Sequence, residues 1–153
     1  MYDSPSPISV QQIKELREDN IGRLFLQAHR AFGIRAFEKL RARGHNGLSL
    51  NHTALLANLD LEGTRITTLA ERASMTKQSM GELVQDLEEK GYIQRTSDPT
   101  DRRAVMIQFT DAGWQYLHDA YAIKQEIEAE YAALIGEVGM AALRDCLKLL
   151  IGH

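Results

Sequence analysis

A chain of 153 residues suits one domain with a helical extension, and 44% hydrophobic with 25% charged residues excludes a largely disordered protein. The net charge of −3 gives no general attraction to nucleic acid, so any DNA binding must depend on a few well-placed cations. The single cysteine, Cys146, excludes an intramolecular disulfide, and no apolar run approaches the roughly 20 residues that cross a bilayer. Without a signal-peptide pattern, we expect a soluble cytoplasmic protein with no membrane partner.

The N-terminal part of the sequence is predicted to be helical. Residues 8–43 have apolar side chains at three- and four-residue spacing, which predicts one long helix that ends at Gly44. Ser49 is the predicted N-cap of a short helix that closes near Gly63.

Two short helices are predicted next, separated by a tight turn. Thr67 is the expected N-cap of the first helix, and Thr76 is the expected N-cap of the second, which runs to about Lys90 before Gly91. Apolar residues of the second helix recur at the spacing of a buried face, and they are Met80, Leu83, Val84 and Leu87. Its opposite face presents Lys77, Gln78, Gly81, Glu82 and Gln85.

A β-hairpin and two more helices complete the prediction. The segments "YIQR" (92–95) and "AVMIQF" (104–109) are predicted strands. Their connecting loop carries four charged residues, Asp98, Asp101, Arg102 and Arg103. Thr110 and Asp111 start a long helix to about Leu134, and a final helix follows the "GEVG" interruption.

Helix, short turn, helix and hairpin form, in this order, a winged helix-turn-helix, so the predicted fold is mostly α with a small β-hairpin wing. In such a domain the N-terminal end of the second helix enters a major groove of DNA. The residues expected to contact DNA there are Arg72, Thr76, Lys77, Gln78, Ser79, Gly81 and Gln85. Gly81 lies inside the predicted helix, where a glycine costs about 0.5–1 kcal/mol relative to alanine. Two explanations of this glycine stay open, namely close approach of the helix to the groove wall and neutral change.

The charged hairpin tip fits the same geometry. A narrow minor groove attracts an inserted arginine, and we expect Arg103 to enter it, with Arg102 near a phosphate. Asp101 is expected to hold the Arg103 guanidinium by a forked hydrogen bond. An isolated Asp-Arg-Arg sequence is more often a solvated polar loop, but its position directly after a helix-turn-helix favours a DNA contact.

Residues from about 21 to 115 resemble the MarR family of transcriptional regulators. The motifs that carry the resemblance are "LAER" (69–72), "DLEEKGYI" (86–93), Asp101 with Arg103, and "FTDAG" (109–113). The chain departs from the family pattern at Gly81 and Glu82, where many members have a small hydroxyl residue and then arginine. Glu82 repels phosphate but can accept a hydrogen bond from a cytosine amino group, so the base contacts stay open.

The resemblance implies a homodimeric regulator that binds operator DNA in a sequence-specific manner. It would repress transcription, and a small effector would relieve this repression. Residues 8–45 and 111–153 would form the helical dimerisation region, and residues 46–110 the winged DNA-binding domain. The expected dimer contacts are Ile13, Leu16, Met140, Leu143, Leu147 and Leu150. Candidate residues for an aromatic or anionic effector are Phe25, His29, Arg30, His52 and Trp114.

Other classes of function have less support in the sequence. No nucleophile, phosphate-binding or dinucleotide motif and no metal-ligand spacing is present, so we expect no enzyme activity, cofactor or metal. Cys146 is expected to be an inert thiol on a helix buried between subunits. The alternative function is a winged-helix protein-interaction module without DNA binding, which the acidic balance of residues 61–110 favours.

Overall fold

The computed structural model describes residues 8–152, so residues 1–7 and 153 lie outside the described part. The elements of that part are, in chain order, α1 (Val10–Glu18), α2 (Ile21–Ala42), α3 (Leu50–Asn58), β1 (Thr64–Arg65), α4 (Ile66–Arg72), α5 (Lys77–Glu89), β2 (Ile93–Ser97), β3 (Val105–Phe109), α6 (Asp111–Ile135) and α7 (Glu137–Ile151). The chain forms two compact units, the first ending at Arg35 and the second beginning at Ala36.

The first unit corrects the prediction of one uninterrupted helix over residues 8–43. Helix α1 ends at Glu18 and α2 begins at Ile21, with Asn20 between them. The Asn20 side chain donates to the Leu16 carbonyl at 2.7 Å and accepts from the Arg23 backbone N–H at 2.9 Å. Because this amide satisfies one backbone group of each helix, it stabilises a break that the apolar spacing does not reveal.

Two predicted N-caps in the second unit, Ser49 and Thr76, are confirmed, and Thr110, predicted with Asp111 to start a long helix, is the N-cap of α6. The hydroxyls of Ser49, Thr76 and Thr110 each accept the backbone N–H three residues later, at 3.1–3.3 Å. The predicted cap Thr67 is wrong, because it lies inside α4 and Arg65 is the N-cap residue. Strand β1 leads directly into α4, so the helix begins earlier than the position of the nearest hydroxyl suggests.

The core of the second unit lies between α3, α4, α5 and the sheet. The predicted inward residues Met80, Val84 and Leu87 are confirmed as fully buried, whereas Leu83 is half-buried. The other fully buried side chains of these elements are Leu55, Leu56, Leu69, Ile93 and Ile107. This packing fixes α5 with one face inward and the opposite face outward.

The predicted hairpin is confirmed, and the sheet contains one more strand than expected. Strands β2 and β3 pair antiparallel from Ile93 opposite Phe109 to Ser97 opposite Val105. The two residues of β1 pair with the other edge of β3, Thr64 opposite Ile107. The order β1-β3-β2 therefore places β1 on the side of β3 away from β2, and β1 runs toward the hairpin tip as it leads into α4.

Helix α6 begins in close contact with the base of the hairpin. A Cβ on Gly113 would lie 2.1 Å from the Tyr92 carbonyl oxygen, so only glycine fits at this position. Thr110 Oγ1 also donates to the Gly91 carbonyl at 2.5 Å. The predicted boundary between α6 and α7 is confirmed at Gly136, whose φ is +80°. No helix in the described residues is long and apolar enough to span a membrane.

Candidate nucleic-acid interface

Helix α5 presents a polar stripe directly opposite its buried face. With 3.6 residues per turn, the side chains farthest from Met80, Val84 and Leu87 belong to Gln78, Glu82, Gln85 and Glu89. All four are exposed. We name these four residues the α5 stripe. It is the surface of α5 that an external partner can reach.

The N-terminal end of α5 contains two engaged and two available polar residues. Thr76 Oγ1 accepts the Ser79 backbone N–H and donates to Ser79 Oγ at 2.9 Å, so these two hydroxyls satisfy each other. Lys77 and Gln78 are exposed, and their side chains form no hydrogen bond or ion pair within residues 8–152. Thr76 and Ser79 thus shape the helix end, while Lys77 and Gln78 are available to a ligand.

Gly81 has no packing partner that would require a glycine. A Cβ built at this position meets no atom within 4 Å, and its backbone is ordinary helix. Neither a close approach within the chain nor a positive φ explains the residue. Its place beside the α5 stripe keeps both interpretations from the sequence open, a groove contact and neutral change.

Arg72, predicted to contact DNA, has an internal role in the structure. Its guanidinium makes a forked pair with the Asp60 carboxylate, 2.9 Å on each branch, and donates to the Asn58 carbonyl at 2.7 Å. The same pairing raises the pKa of Arg72 and lowers the pKa of Asp60. These contacts tie the end of α4 to the segment after α3, and the side chain stays 39% exposed.

Asp101, in the loop at the hairpin tip, has a different role in the structure from the predicted one. Its Oδ1 atom accepts the Arg103 backbone N–H at 3.0 Å, and within the described chain no contact joins it to the Arg103 guanidinium. A spacing of two residues suits this local turn, in which a short carboxylate reaches the main chain. Asp101 therefore shapes the loop, and the exposed side chains of Arg102 and Arg103 are without partners in residues 8–152.

Asp98 anchors the hairpin tip, a role that the sequence did not reveal. Its carboxylate is 5% exposed and accepts from Thr100 Oγ1 and N at 2.7 and 2.8 Å. It also accepts from Arg65 Nε at 2.7 Å and Nη2 at 2.5 Å. Hydrogen bonds from Thr100, followed by those from Arg65, lower the pKa of Asp98 to about 2. Because Arg65 lies in the unpredicted strand β1, sequence reasoning had no partner for this carboxylate.

Two kinds of basic side chain therefore surround α5 and the hairpin. Those that pair with carboxylates are Arg65 with Asp98, Arg72 with Asp60, Lys90 with Asp86, and Arg95 with Glu88. Those without a partner in the described part of the chain are Lys77, Arg102 and Arg103. The unpaired set is concentrated at the two places predicted to touch DNA.

The candidate effector residues are divided between the two units. Phe25, His29 and Arg30 are exposed on α2 in the first unit. In the second unit His52 is buried, accepts the Ser49 backbone N–H at 2.9 Å and lies 2.8 Å from Asp86 Oδ2. Trp114 packs on Phe109, with ring centroids 5.7 Å apart.

A groove of about 400 Å³ lies elsewhere in the second unit, between α6 and α7. Gln125, Met140 and Arg144 are among its lining residues, and none of the five effector candidates lines it. Within the described residues, no group of three or more His, Cys, Asp or Glu side chains is arranged to hold a metal ion.

Another histidine, His45, lies at a junction that the sequence did not indicate. Its Nδ1 is 2.9 Å from the Tyr92 hydroxyl and its Nε2 is 3.0 Å from Asp119 Oδ2. Tyr116 packs edge-on against the ring, at 5.3 Å between centroids. The pKa of Asp119 is lowered, chiefly by its hydrogen bond with His45. The cluster joins the segment after α2 to the base of the hairpin and to α6.

The residues predicted to form the dimer contacts lie on helices that are largely exposed to solvent. Helices α1 and α7 contain no buried residue. Ile13, Leu16, Leu143 and Leu150 are exposed and Met140 and Leu147 half-buried. Cys146 is exposed in the single chain, so its burial between subunits stays a prediction.

Comparison with known proteins finds a family and several regulators to which parts of this chain are similar. Residues 46–104 match the sequence profile of the MarR family. An uncharacterized HTH-type transcriptional regulator of Bacillus subtilis, YdcH, is 32% identical over 71 residues, 45% of this chain and 48% of YdcH. The match thus spans about half the length of that relative. The HTH-type transcriptional repressor MdtR of the same organism is 27% identical over 104 residues, 67% of each protein.

Solved structures have the same fold. Wild-type MarR from E. coli in its apo form superposes with a TM-score of 0.73 at 18% identity, over 86% of this chain and 96% of MarR. CouR from Rhodococcus jostii RHA1, bound to p-coumaroyl-CoA, has a TM-score of 0.66 at 26% identity, over 87% of this chain and 92% of CouR. Residues 46–104 of the chain thus match the MarR family, and the chain has the winged helix-turn-helix fold of these solved structures.

Proposed function

We propose that the protein is a cytoplasmic, homodimeric regulator that binds double-stranded operator DNA in a sequence-specific manner. One observation carries the proposal. The basic side chains without internal partners, Lys77, Arg102 and Arg103, lie at the N-terminal end of α5 and at the hairpin tip, while the neighbouring cations are paired. A chain with a net charge of −3 can attract DNA only through such local positive groups.

Helix α5 would lie in the major groove of the operator. Lys77 would contact a phosphate, and the amides of Gln78 and Gln85 would reach base edges, because both extend outward from the α5 stripe. Thr76 and Ser79 would hold the helix end in place, where its backbone N–H groups favour a phosphate. Gly81 would let the helix approach the groove wall closely.

The hairpin would act as the wing. Arg103 would enter the neighbouring minor groove and Arg102 would lie near a phosphate, since both guanidinium groups are exposed and unpaired in the described chain. Asp101 would set the loop conformation through the main chain, and the contact between Asp98 and Arg65 would fix the loop at its base. Arg72 would contribute through its exposed edge while it remains bound to Asp60.

Dimerisation follows from the uncovered apolar residues of α1 and α7. Burial of such residues against a second copy removes apolar surface from water, at about 25 cal/mol per Å². A two-fold axis would also place two α5 helices on half-sites about one DNA turn apart. Ile13, Leu16, Leu143 and Leu150 are the proposed contacts, together with the half-buried Met140 and Leu147.

Regulation by a small molecule is the remaining part of the proposal. MdtR is named a repressor, and CouR has p-coumaroyl-CoA bound, so both behaviours occur among similar proteins. We expect this protein to repress transcription until an aromatic or anionic effector binds. Such an effector must bind the DNA-free conformation more tightly than the DNA-bound one, because only a difference in affinity shifts the two populations.

The proposal is tested by fluorescence anisotropy with labelled DNA from upstream of the protein's own gene. Wild type is compared with Arg103→Ala at two salt concentrations. Arg41→Ala serves as the matched control, because Arg41 is an exposed arginine that belongs to α2 and not to α5 or the hairpin. Arg103→Ala should weaken binding by about 1–3 kcal/mol, whereas Arg41→Ala should bind as wild type does.

The affinity of wild type should also fall steeply as salt rises, because bound phosphates release counterions when Lys and Arg replace them. If wild type binds no DNA at low salt, even from a random pool, DNA binding is refuted. The protein-interaction module, with the hairpin tip contacting another protein, then becomes the better description.

A further inference from the structure

Glu82 occupies the middle of the α5 stripe and has no partner among residues 8–152. The side chain is exposed and forms no hydrogen bond or ion pair in the described part of the chain. The other acids of α5 are all engaged. They pair as Asp86 with Lys90 at 2.8 Å, Glu88 with Arg95 at 3.0 Å, and Glu89 with Gln85 at 3.1 Å. The helix therefore presents one unneutralised carboxylate, at the centre of the surface that would face the groove.

A carboxylate at this place is unfavourable unless the DNA offers it a hydrogen-bond donor. Phosphate oxygens repel it, and its own oxygens can only accept hydrogen bonds. Gln78 lies one turn before Glu82 and Gln85 lies one turn after it, so the neighbours on the stripe are amides and not cations. No cation on the stripe neutralises Glu82, and its partner must come from a base edge.

The chemistry of the major groove separates the four bases for such a residue. Guanine presents two acceptors, N7 and O6, and thymine presents the acceptor O4, so both repel a carboxylate. Adenine presents one amino group beside the acceptor N7, which opposes the second carboxylate oxygen. Cytosine presents the N4 amino group and no acceptor on its own major-groove edge. Cytosine is thus the base that best satisfies a carboxylate.

We propose that Glu82 is a specificity-determining residue that selects a cytosine in each operator half-site by accepting a hydrogen bond from its N4 amino group. This inference rests on the proposed function and adds to it the identity of one base. Gly81 supports the geometry, because the absence of a side chain beside Glu82 leaves room for the edge of a base pair.

The test is a selection of binding sites from a random DNA pool, followed by sequencing, with wild type, Glu82→Gln and Glu82→Ala. The matched control is Glu71→Gln, which makes the same change of charge at an exposed residue of α4, outside the α5 stripe. Because the exposed Glu82 side chain forms no hydrogen bond or ion pair in the described chain, both Glu82 variants should fold, which circular dichroism checks.

Wild type should enrich cytosine at one position of each half-site by about 5- to 100-fold over other bases. Glu82→Ala should lose this preference, and Glu82→Gln should shift it towards adenine, which a glutamine amide contacts through N6 and N7. Glu71→Gln should retain the wild-type preference. The preference for a base, and not the overall affinity, is the decisive measurement, since removal of any negative charge strengthens binding to DNA.

Retention of the cytosine preference by both Glu82 variants would overturn the inference, and Glu82 would then act only as a repelling charge. A wild-type selection without an enriched cytosine would overturn it as well. These results differ from a failure of the proposed function, in which wild type recovers no DNA from the pool at low salt.

Discussion

The winged core and the outer helices α1 and α7 use the same apolar residue types in opposite ways. In α5, three apolar side chains are fully buried within the chain, whereas α1 and α7 contain no buried residue at all. The winged core is therefore stabilised by contacts within a single chain. The outer helices keep apolar surface in contact with water, and this is the surface that the proposed dimer would bury.

The largest effect is expected from a cavity in the covered region. Met80→Ala should lower the free energy of unfolding by about 2–5 kcal/mol, because Met80 is fully buried and its neighbours cannot fill the space. Urea denaturation followed by circular dichroism measures the change. Leu61→Ala is the control, since Leu61 is 56% exposed and its truncation should change stability by less than about 0.5 kcal/mol. An equal loss in both variants would contradict the contrast between covered and uncovered regions.

A charge in the uncovered region should act on assembly and not on the core. Leu143→Glu places a carboxylate among the proposed dimer contacts, and it should raise the dissociation constant of the dimer about tenfold or more, equivalent to about 1.4 kcal/mol. Analytical ultracentrifugation at several protein concentrations measures it. Ala142→Glu introduces the same side chain at the neighbouring exposed position and should leave the dimer intact. A monomeric wild type at micromolar concentration would remove the proposed dimer.

The smallest effect is expected from acid, and it should be confined to the hairpin. Asp98 has its pKa lowered to about 2 from an ordinary value of 3.8, so its ionised form stabilises the fold above about pH 4. This contribution is lost as the pH falls from about 4 towards 2. Carbon-13 NMR of the Asp98 carboxyl should give a midpoint near pH 2, and amide signals of Arg65 and Thr100 should move with it.

Asp98→Asn should abolish the movement of those amide signals over the same pH range. A midpoint of the Asp98 carboxyl near 3.8 in wild type would show that Arg65 and Thr100 do not hold the carboxylate in solution.

The sequence predicts those parts of the fold and of the candidate interface that depend only on residues close to one another in the chain. The caps at Ser49 and Thr76 require only a hydroxyl three residues before an N–H, and the buried face of α5 requires only its own spacing. The exposure of Lys77 does not follow from this spacing, because Lys77 lies two turns before the buried Val84; it is exposed at the first position of the helix. Local pattern was therefore sufficient for the caps and for the buried face of α5.

What the sequence did not predict depends on distant partners or on competing local bonds. Strand β1 has two residues and pairs with residues about 40 positions later, so neither its existence nor the partner of Asp98 could be found from spacing. The Asp101 carboxylate can accept a hydrogen bond from either the guanidinium or the backbone N–H of Arg103. In the structure it accepts from the backbone N–H. The break at Asn20 was hidden because the apolar spacing suggested a continuous helix.

The close approach of Gly113 to the Tyr92 carbonyl packs the start of α6 directly on the base of the hairpin. Gly113 is near the start of the 25-residue helix, so about 33 Å of α6 extends beyond this contact, and a tilt of about 3° would move the far end by about 2 Å. We expect such a tilt to move the base of the hairpin together with α6, because no Cβ separates the two backbones. A larger residue in place of Gly113 should push the hairpin and α6 apart.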